Sequence, residues 1–95
     1  MINLDTKYIT FIKEKITKYL PDCKIYLFGS RVKGTAKEYS DIDIALDSKN
    51  LNENILLKIQ NEFENSTLPY EVDIADLNNI SETFKNHIEN SLVKI

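Results

Sequence analysis

Residues 29–46 carry both glycines of the chain and two closely spaced aspartates, in the order Gly29-Ser30-Arg31-Val32-Lys33-Gly34-Thr35-Ala36-Lys37-Glu38-Tyr39-Ser40-Asp41-Ile42-Asp43-Ile44-Ala45-Leu46. Glycine costs conformational entropy on folding and is favoured where a backbone turns tightly or approaches a ligand. A glycine-led turn followed by two carboxylates indicates a phosphate held by backbone amides and a divalent metal ion held by acidic side chains. We therefore expect the chemistry of the chain in this segment.

The segment ends in a strand pattern whose two faces differ chemically. Because successive side chains of a strand point to opposite faces, one face is predicted to carry Asp41, Asp43 and Ala45, and the other Ile42, Ile44 and Leu46. A later strand, residues 70–75, would present Asp73 in the same way and, if it lies nearby, add a third carboxylate. Clustered carboxylates raise one another's pKa. Bound Mg²⁺, which prefers carboxylates, waters and substrate phosphates, would relieve that repulsion.

The remaining periodicity predicts a small sheet covered by helices. Apolar residues recur with helical spacing over 5–20, 51–65 and 80–92. Strand formers occupy 23–28, 42–46 and 70–75, and residues 93–95 are either a fourth strand or a tail. A short helix is expected from Ser30, and Tyr26 and Phe28 are assigned to the core. The predicted fold class is α/β (α+β), with a small mixed β-sheet, and residues 1–95 are expected to form one domain.

Composition excludes several classes of protein. A hydrophobic fraction of 42%, a charged fraction of 28% and a net charge of −3 are typical of a globular protein and argue against a general nucleic-acid binder. Cys23 is the single cysteine, so no intrachain disulfide can form. No apolar run approaches the roughly 20 residues that span a bilayer, and the N-terminus lacks the pattern of a signal peptide. We expect a cytoplasmic protein.

The glycine turn supplies groups for phosphate. The Ser30 hydroxyl and the amides after it can hold phosphate oxygens, and Arg31, Lys33 and Lys37 can add positive charge. The spacing from Gly29 to Gly34 is similar to the start of a Walker A loop, but Thr35 stands where that loop requires lysine. A P-loop is therefore rejected.

The same residues resemble a known signature. Gly29-Ser30, ten residues, then Asp41-Ile42-Asp43 resembles the motif of the polymerase-β-like nucleotidyltransferase superfamily. The longer string, Gly-Ser-Arg-x-x-Gly with Ser-Asp-Ile-Asp, resembles its smallest branch, the MNT-type minimal nucleotidyltransferases. The motif covers residues 29–43, and Asp73 matches the third acidic position of the family.

This resemblance implies a nucleotidyltransferase fold and Mg²⁺-dependent transfer of a nucleoside monophosphate, AMP from ATP, to a hydroxyl. The implied nucleotide-binding residues are Gly29, Ser30, Arg31 and Ser40, and the implied catalytic residues, which also hold two Mg²⁺ ions, are Asp41, Asp43 and Asp73. The chain looks too short to hold its acceptor, so a partner should supply it. The family implies a helical HEPN-type ribonuclease toxin, modified on a tyrosine, and hence an antitoxin role.

Two other functions stay open at this point. One is nucleotidyl transfer to a small hydroxylated molecule such as an aminoglycoside, which would need a cleft built by dimerisation. The other is neutralisation of a partner by binding alone. An intact set of three aligned acids weighs against the second, because a binding module has no use for them.

Individual residues also have plainer interpretations. Asp41 and Asp43 would be solvent-facing residues of an edge strand, and Asp73 an ordinary polar residue. Arg31, Lys33 and Lys37 would be surface charges, and the two lysines fit that better than a functional role. Ser40 would cap or brace the second strand, Glu71 is either a fourth acid or surface, and His87 is given no role.

Overall fold

The structure, a computed structural model, describes residues 2–35 and 40–95. The helices are Thr6–Tyr19 (α1), Ser30–Lys33 (α2), Glu53–Glu64 (α3) and Glu82–Ile88 (α4), the last followed by a 3₁₀ turn over Glu89–Ser91. The strands are Lys24–Phe28 (β1), Ile42–Asp47 (β2), Val72–Asp76 (β3) and Val93–Lys94 (β4). The two interpretations of Lys37, as a charge for phosphate or as a solvated residue, concern a position outside the described residues.

The four strands form one mixed sheet in the order β3-β2-β1-β4. β1 pairs antiparallel with β2 and β4, while β2 pairs parallel with β3. The predicted mixed sheet is thereby confirmed, and residues 93–95 supply a fourth strand rather than a tail. Because β2 is central, it sets the register for both of its neighbours.

One face of the sheet is the hydrophobic core. α1 and α3 pack on it, and its buried side chains are Ile12, Ile16, Leu20, Ile25, Leu27, Ile42, Ile44, Leu46, Ile59 and Phe63. The strand residues of this set are those that alternation places on one face of β1 and β2. The isoleucine face therefore packs against helices as predicted.

The opposite face is only partly covered, and here two predictions were wrong. Tyr26 and Phe28 are half-buried residues of this face, not members of the core. Ala45 lies on this face as predicted and is fully buried. α4 lies over this side, where the Phe84 ring meets the Phe28 ring edge-on at 6.2 Å between centroids. The face thus has a covered half and, next to it, the half that carries Asp43.

The longer helices begin at side-chain caps that the sequence carries. The side chains of Asp5, Asn52 and Ser81 accept hydrogen bonds from the backbone N–H groups of Lys7, Ile55 and Phe84 at 3.0, 3.0 and 3.1 Å. Such caps satisfy N–H groups that have no partner within the helix. The predicted helices 5–20 and 51–65 are confirmed to within two residues at each end.

The last helix is shorter than predicted. The periodicity favoured 80–92, but α4 ends at Ile88 and a 3₁₀ turn follows. The Ser91 hydroxyl donates to the Ile88 carbonyl at 2.9 Å, and the Ile95 amide reaches the Ile25 carbonyl at 2.9 Å. The helix has to stop early because the chain returns to pair with β1. In the described residues, no helix has the length and apolar character to cross a membrane.

Candidate active site

Asp43 and Asp73 are direct neighbours across two parallel strands. β2 and β3 pair in register with Asp43 opposite Asp73, and on the other side of β2 Asp43 is opposite Phe28 of β1. Neighbouring strands lie about 4.8 Å apart. The prediction that Asp73 would join the first acidic pair therefore holds for its position in the sheet.

The glycine turn closes one side of this carboxylate pair. Gly29 follows β1 directly and has φ 78° and ψ −152°, a conformation that is essentially confined to glycine. A Cβ at this position would overlap Oδ2 of Asp43 and lie 3.1 Å from its Cγ. Gly29 is therefore required twice, by its backbone conformation and by the close approach of Asp43.

α2 carries the remaining groups of the turn. Ser30 is its first residue and is half-buried, and the helix ends after one turn at Gly34, which is left-handed at φ 80°. The Gly34 amide donates to the Ser30 carbonyl at 3.1 Å. Because the first N–H groups of a helix have no partner within it, Ser30 and its neighbours can offer donors beside Asp43.

Asp43 is electrostatically strained in the absence of a cation. Burial raises the pKa of its carboxyl above 3.8, and the charges of Asp73 and then Asp41 raise it further. Burial disfavours the charged form of an acid, and like charges add to that effect. A positive charge placed between these carboxylates would favour their ionised forms.

Asp41 departs from the predicted placement. β2 begins at Ile42, so Asp41 stands just before the strand and is exposed. The Ile42 amide donates to the Glu71 carbonyl at 2.9 Å, which fixes the start of the β2–β3 pair. Asp41 is close enough to Asp43 to affect its pKa, but its position depends on the backbone ahead of the strand.

Arg31 is placed differently from the predicted phosphate contact, which stays untested. The side chain is buried, with 4% of its surface exposed. Nε and Nη2 donate to the Ser40 carbonyl at 3.3 and 2.7 Å, and Nη1 donates to the Asn3 carbonyl at 2.8 Å. The guanidinium also lies 4.3 Å from the centroid of the Tyr70 ring. Ser40 is half-buried, and its carbonyl contact with Arg31 favours the bracing interpretation of Ser40, while the burial of Arg31 contradicts its interpretation as a surface charge.

A cavity of about 690 Å³ opens over the carboxylates, between the glycine turn and α4. It is lined by Gly29, Asp43 and Asp73, and by Lys33, which the sequence offered as a charge for phosphate but favoured as a solvated residue. Other lining residues had no site role in the sequence analysis, among them Asn79, Phe84 and His87. Phe84 is 39% exposed, which is unusual for a large apolar side chain. Its edge contact with Phe28 leaves it in the wall of the cavity.

These additional residues were missed for an identifiable reason. Lys33 was interpreted as a solvated charge, and α4 as an ordinary amphipathic helix. The sequence does not say that α4 packs on the aspartate face instead of the core face. An aromatic at residue 84 near a histidine at 87 becomes informative only when that placement is known.

The structure brings two carboxylates, those of Asp43 and Asp73, into position for a metal ion. In residues 2–35 and 40–95, no group of three His, Cys, Asp or Glu side chains is arranged to hold a metal ion. Mg²⁺ is commonly bound by one or two carboxylates together with waters and substrate phosphates, so it needs no complete protein cage. Asp43 and Asp73, adjacent in the sheet and mutually repulsive, fit that kind of open site.

Comparison with known proteins identifies the fold. The profile of the family described as "Polymerase beta, Nucleotidyltransferase" matches residues 12–95. The chain belongs to this family. The glycine turn, the Asp-x-Asp strand and the acidic residue on the neighbouring strand all fall within the matched range, so the nucleotidyltransferase fold inferred from the sequence is confirmed.

Individual relatives narrow the likeness to the MNT branch. A probable protein adenylyltransferase MntA of Haemophilus influenzae is 33% identical over 95 residues, which cover 99% of this chain and 83% of the relative. A crystal structure of a toxin–antitoxin with AMP-PNP matches with a TM-score of 0.68 and 31% identity, over 86% of this chain and 70% of that one.

A second similar structure shows an MNT antitoxin with its partner toxin. It is a complex of a tri-AMPylated Shewanella oneidensis HEPN toxin with an MNT antitoxin. The match has a TM-score of 0.67 and 25% identity, and covers 90% of this chain and 66% of that one. The MNT-type minimal nucleotidyltransferases are therefore the group within the family that this chain is similar to.

Proposed function

We propose that this protein is a protein adenylyltransferase that transfers AMP from ATP to a hydroxyl of a HEPN-type toxin, and so acts as its antitoxin. The catalytic unit is the single minimal domain of residues 1–95, working in the cytoplasm. The observation that carries the proposal is the register of Asp43 opposite Asp73, with Gly29 directly against Asp43.

The residues divide the work between phosphate and metal. Gly29 and Ser30 present backbone donors to the triphosphate. The family resemblance assigns Mg²⁺ to Asp41 and Asp43, with Asp73 completing the site and two ions in all. In this structure Asp43 and Asp73 would supply the first carboxylates, and Asp41 would add its own from just ahead of the strand. Mg²⁺ held by these carboxylates would offset their repulsion and the charge that develops on the phosphate oxygens. After burial, the charges of Asp73 and Asp41 raise the pKa of Asp43, and a bound cation would offset that repulsion.

The transfer is an in-line displacement at the α-phosphorus of ATP. The acceptor oxygen forms a bond to that phosphorus as the bond to the bridging oxygen of the β-phosphate breaks, and pyrophosphate leaves with the electron pair. Asp73, the exposed member of the pair, takes the proton of the acceptor hydroxyl. The cavity under α4, with Phe84 and Lys33 in its wall, accommodates the nucleotide.

The nature of the acceptor comes from the relatives. One is named a probable protein adenylyltransferase, one crystallised with AMP-PNP, and one shows an AMPylated HEPN toxin beside its MNT antitoxin. These support ATP as the co-substrate and a protein hydroxyl, a tyrosine by the family resemblance, as the acceptor. Transfer to a small molecule such as an aminoglycoside finds no corresponding support.

Co-expression with a HEPN-type partner tests the proposal. Wild-type protein should yield a partner heavier by one AMP per modified residue in intact mass spectrometry, and should relieve its toxicity. The Asp43→Asn variant should bind the partner but leave its mass unchanged. Asp22→Asn, the same change at an exposed aspartate outside the cavity, is the matched control and should behave as wild type.

The outcome also separates catalysis from inhibition by contact. If Asp43→Asn still relieved toxicity fully while wild-type protein left the partner's mass unchanged, binding alone would be the function. Incubation with labelled ATP, Mg²⁺ and an aminoglycoside, giving a labelled small molecule and no labelled protein, would instead favour the small-molecule acceptor.

A further inference from the structure

We propose that Arg31 is a positioning residue, which holds the backbone ahead of Asp41 and thereby sets the metal-binding end of β2. This inference rests on the proposed function, because it assigns Arg31 to the metal site rather than to the nucleotide. It replaces the phosphate contact that the sequence suggested. Its evidence is the set of contacts around one buried guanidinium.

The first contact fixes the segment that carries Asp41. Nε and Nη2 of Arg31 both donate to the Ser40 carbonyl, at 3.3 and 2.7 Å. Ser40 immediately precedes Asp41, which lies outside the strand and has no place in the β2 register. A two-donor grip on the carbonyl therefore constrains the backbone from which Asp41 extends.

The second contact ties this segment to the N-terminus. Nη1 of Arg31 donates to the Asn3 carbonyl at 2.8 Å, and the Asn3 amide donates back to the Arg31 carbonyl at 2.7 Å. Arg31 also belongs to α2, which begins at the glycine turn. One side chain thus joins the N-terminal segment, the phosphate turn and the start of the acidic strand.

The third contact brings in the strand that carries Asp73. The guanidinium lies 4.3 Å from the centroid of Tyr70, two residues before β3, and the Tyr70 ring meets Tyr8 of α1 edge-on at 5.4 Å. Planar guanidinium groups stack on aromatic faces and make paired hydrogen bonds, which a lysine ammonium does not reproduce. A lysine could not make the same contacts with the segments that hold Asp41, Asp43 and Asp73, so this position requires an arginine.

The placement argues against a direct phosphate contact. The side chain is 4% exposed, and it does not line the cavity formed by Gly29, Lys33, Asp43 and Asp73. Lys33, on the same short helix, does line that cavity. On this helix the exposed lysine is the cation available to the nucleotide, and the buried arginine acts through the backbone of Ser40.

The contacts of Arg31 with Ser40, Asn3 and Tyr70 are called the clamp below. Hydrogen exchange of backbone amides in the ligand-free protein tests the clamp without an activity assay. Arg31→Lys keeps the charge but loses the fork. The variant should speed hydrogen exchange of the Ile42 amide about tenfold through local opening. This amide lies two residues after Ser40 and donates to the Glu71 carbonyl. The Leu77 amide, bonded to Leu46 at the far end of the same strand pair, should be unchanged. The proposal would be overturned if exchange of the two amides accelerated equally, or if neither amide exchanged faster than in the wild type.

Nucleotide binding supplies the second measurement. Mg²⁺ is expected to increase the affinity for AMP-PNP, and if Arg31 acts as a clamp, Arg31→Lys should make that increase about tenfold smaller. Loss of a group that orients metal ligands typically has an effect of this size. Affinity in EDTA should stay at the wild-type value. Lys33→Gln is the matched control and should weaken binding in both conditions. If Arg31→Lys behaved like Lys33→Gln, it would be a phosphate ligand and the proposal would fail.

Two further variants keep the test decisive. If Arg31→Lys does not fold, Tyr70→Leu removes the stacked ring while leaving the arginine, and should shift the Ile42 amide in the same direction. Ile59→Val lowers stability from the core and should leave the Mg²⁺ gain intact. If wild-type protein bound no AMP-PNP at all, the proposed function would fail, while the exchange experiment would still decide on the clamp.

Discussion

The Cα of Gly29 lies so close to the Asp43 carboxylate that no side chain fits between them. The phosphate turn and the central acid of the candidate metal site are therefore in direct contact. Any nucleotide phosphate that is held by the turn would reach a cation on Asp43. This proximity results from β1 and β2 being adjacent antiparallel strands, with Phe28 opposite Asp43.

The two glycines allow a paired test of this contact. Gly29→Ala should destabilise the protein by on the order of 1–3 kcal/mol for its backbone conformation, and more for the overlap with Asp43. Gly34→Ala is also at positive φ, but among the described residues beyond its chain neighbours no atom lies within 4 Å of the added Cβ, so it should cost about 1–2 kcal/mol. Urea unfolding measures both differences.

AMP transfer by the two glycine variants distinguishes the effect of the contact with Asp43 from the effect of backbone strain in the turn. Gly29→Ala should abolish AMP transfer under conditions where the variant is folded, because Asp43 must move. Gly34→Ala should retain most of it. Equal loss of transfer in the two variants would mean that the turn acts through its overall conformation and that the approach to Asp43 is unimportant.

Replacing Asp43 should stabilise the ligand-free protein. Its folded-state pKa is raised above 3.8, by burial first and then by Asp73 and Asp41. The folded protein thus holds this proton more tightly than the unfolded chain, and ionisation costs stability as pH rises from about 3.8 through the folded pKa. Asp43→Asn removes the penalty, so its Tm should exceed that of wild type near neutral pH while transfer is lost.

Calorimetric scans over pH check the sign of this effect. The Tm advantage of Asp43→Asn should shrink as pH falls through the window and vanish once Asp43 is protonated in both states. Asp22→Asn, the same change at an exposed aspartate outside the cavity, is the control. A lower Tm for Asp43→Asn at neutral pH would contradict the repulsion that we describe.

Glu62 should have the opposite pH dependence. Hydrogen bonds from Lys18 and then Tyr19 lower the pKa of Glu62 from 4.5 to about 2. The lengths are 2.7 and 3.0 Å, and they join α3 to α1. This stability is present above 4.5 and is lost as pH falls towards 2. Glu62→Gln should lower Tm at neutral pH but not near pH 2, and should leave AMP transfer unchanged. Glu64→Gln, on the same helix, is the control.

Much of the fold could be predicted from local patterns. The helices α1 and α3 have clear apolar stripes and capping side chains, and the three longer strands have alternation or β-rich runs. The end of α4 was missed because β4 pairs with β1 across most of the chain, and a pairing at that distance leaves no periodicity in the sequence. Tyr26 and Phe28 were misassigned because strand propensity does not say which face of a sheet will be buried.

Some residues of the candidate site could likewise be predicted from local patterns, while others depend on tertiary packing. Gly29, Asp43 and Asp73 were predicted as one site from motif spacing, strand alternation and the family resemblance, and the pairing of β2 with β3 supplies the adjacency that the sequence left as a condition. Arg31 was interpreted as a phosphate ligand because an arginine beside a glycine turn usually suggests one, and only its burial against Ser40 and Tyr70 changes that interpretation. Lys33 and Phe84 depend on how α2 and α4 pack over the sheet, which is tertiary information.

Mg²⁺ and nucleotide should bind cooperatively, since each completes the site of the other. The two adjacent carboxylates provide an incomplete set of ligands, and Mg²⁺ fills the remaining positions with waters and phosphate oxygens. Calorimetric titration should therefore give tighter AMP-PNP binding with Mg²⁺ than in EDTA, and tighter Mg²⁺ binding with nucleotide than without. Asp43→Asn should remove most of this coupling. Glu71→Gln, an exposed acid just before β3, should keep it. Full-strength nucleotide binding in EDTA would mean that the turn holds phosphate unaided, and the assignment of Asp43 to a metal ion would have to be abandoned.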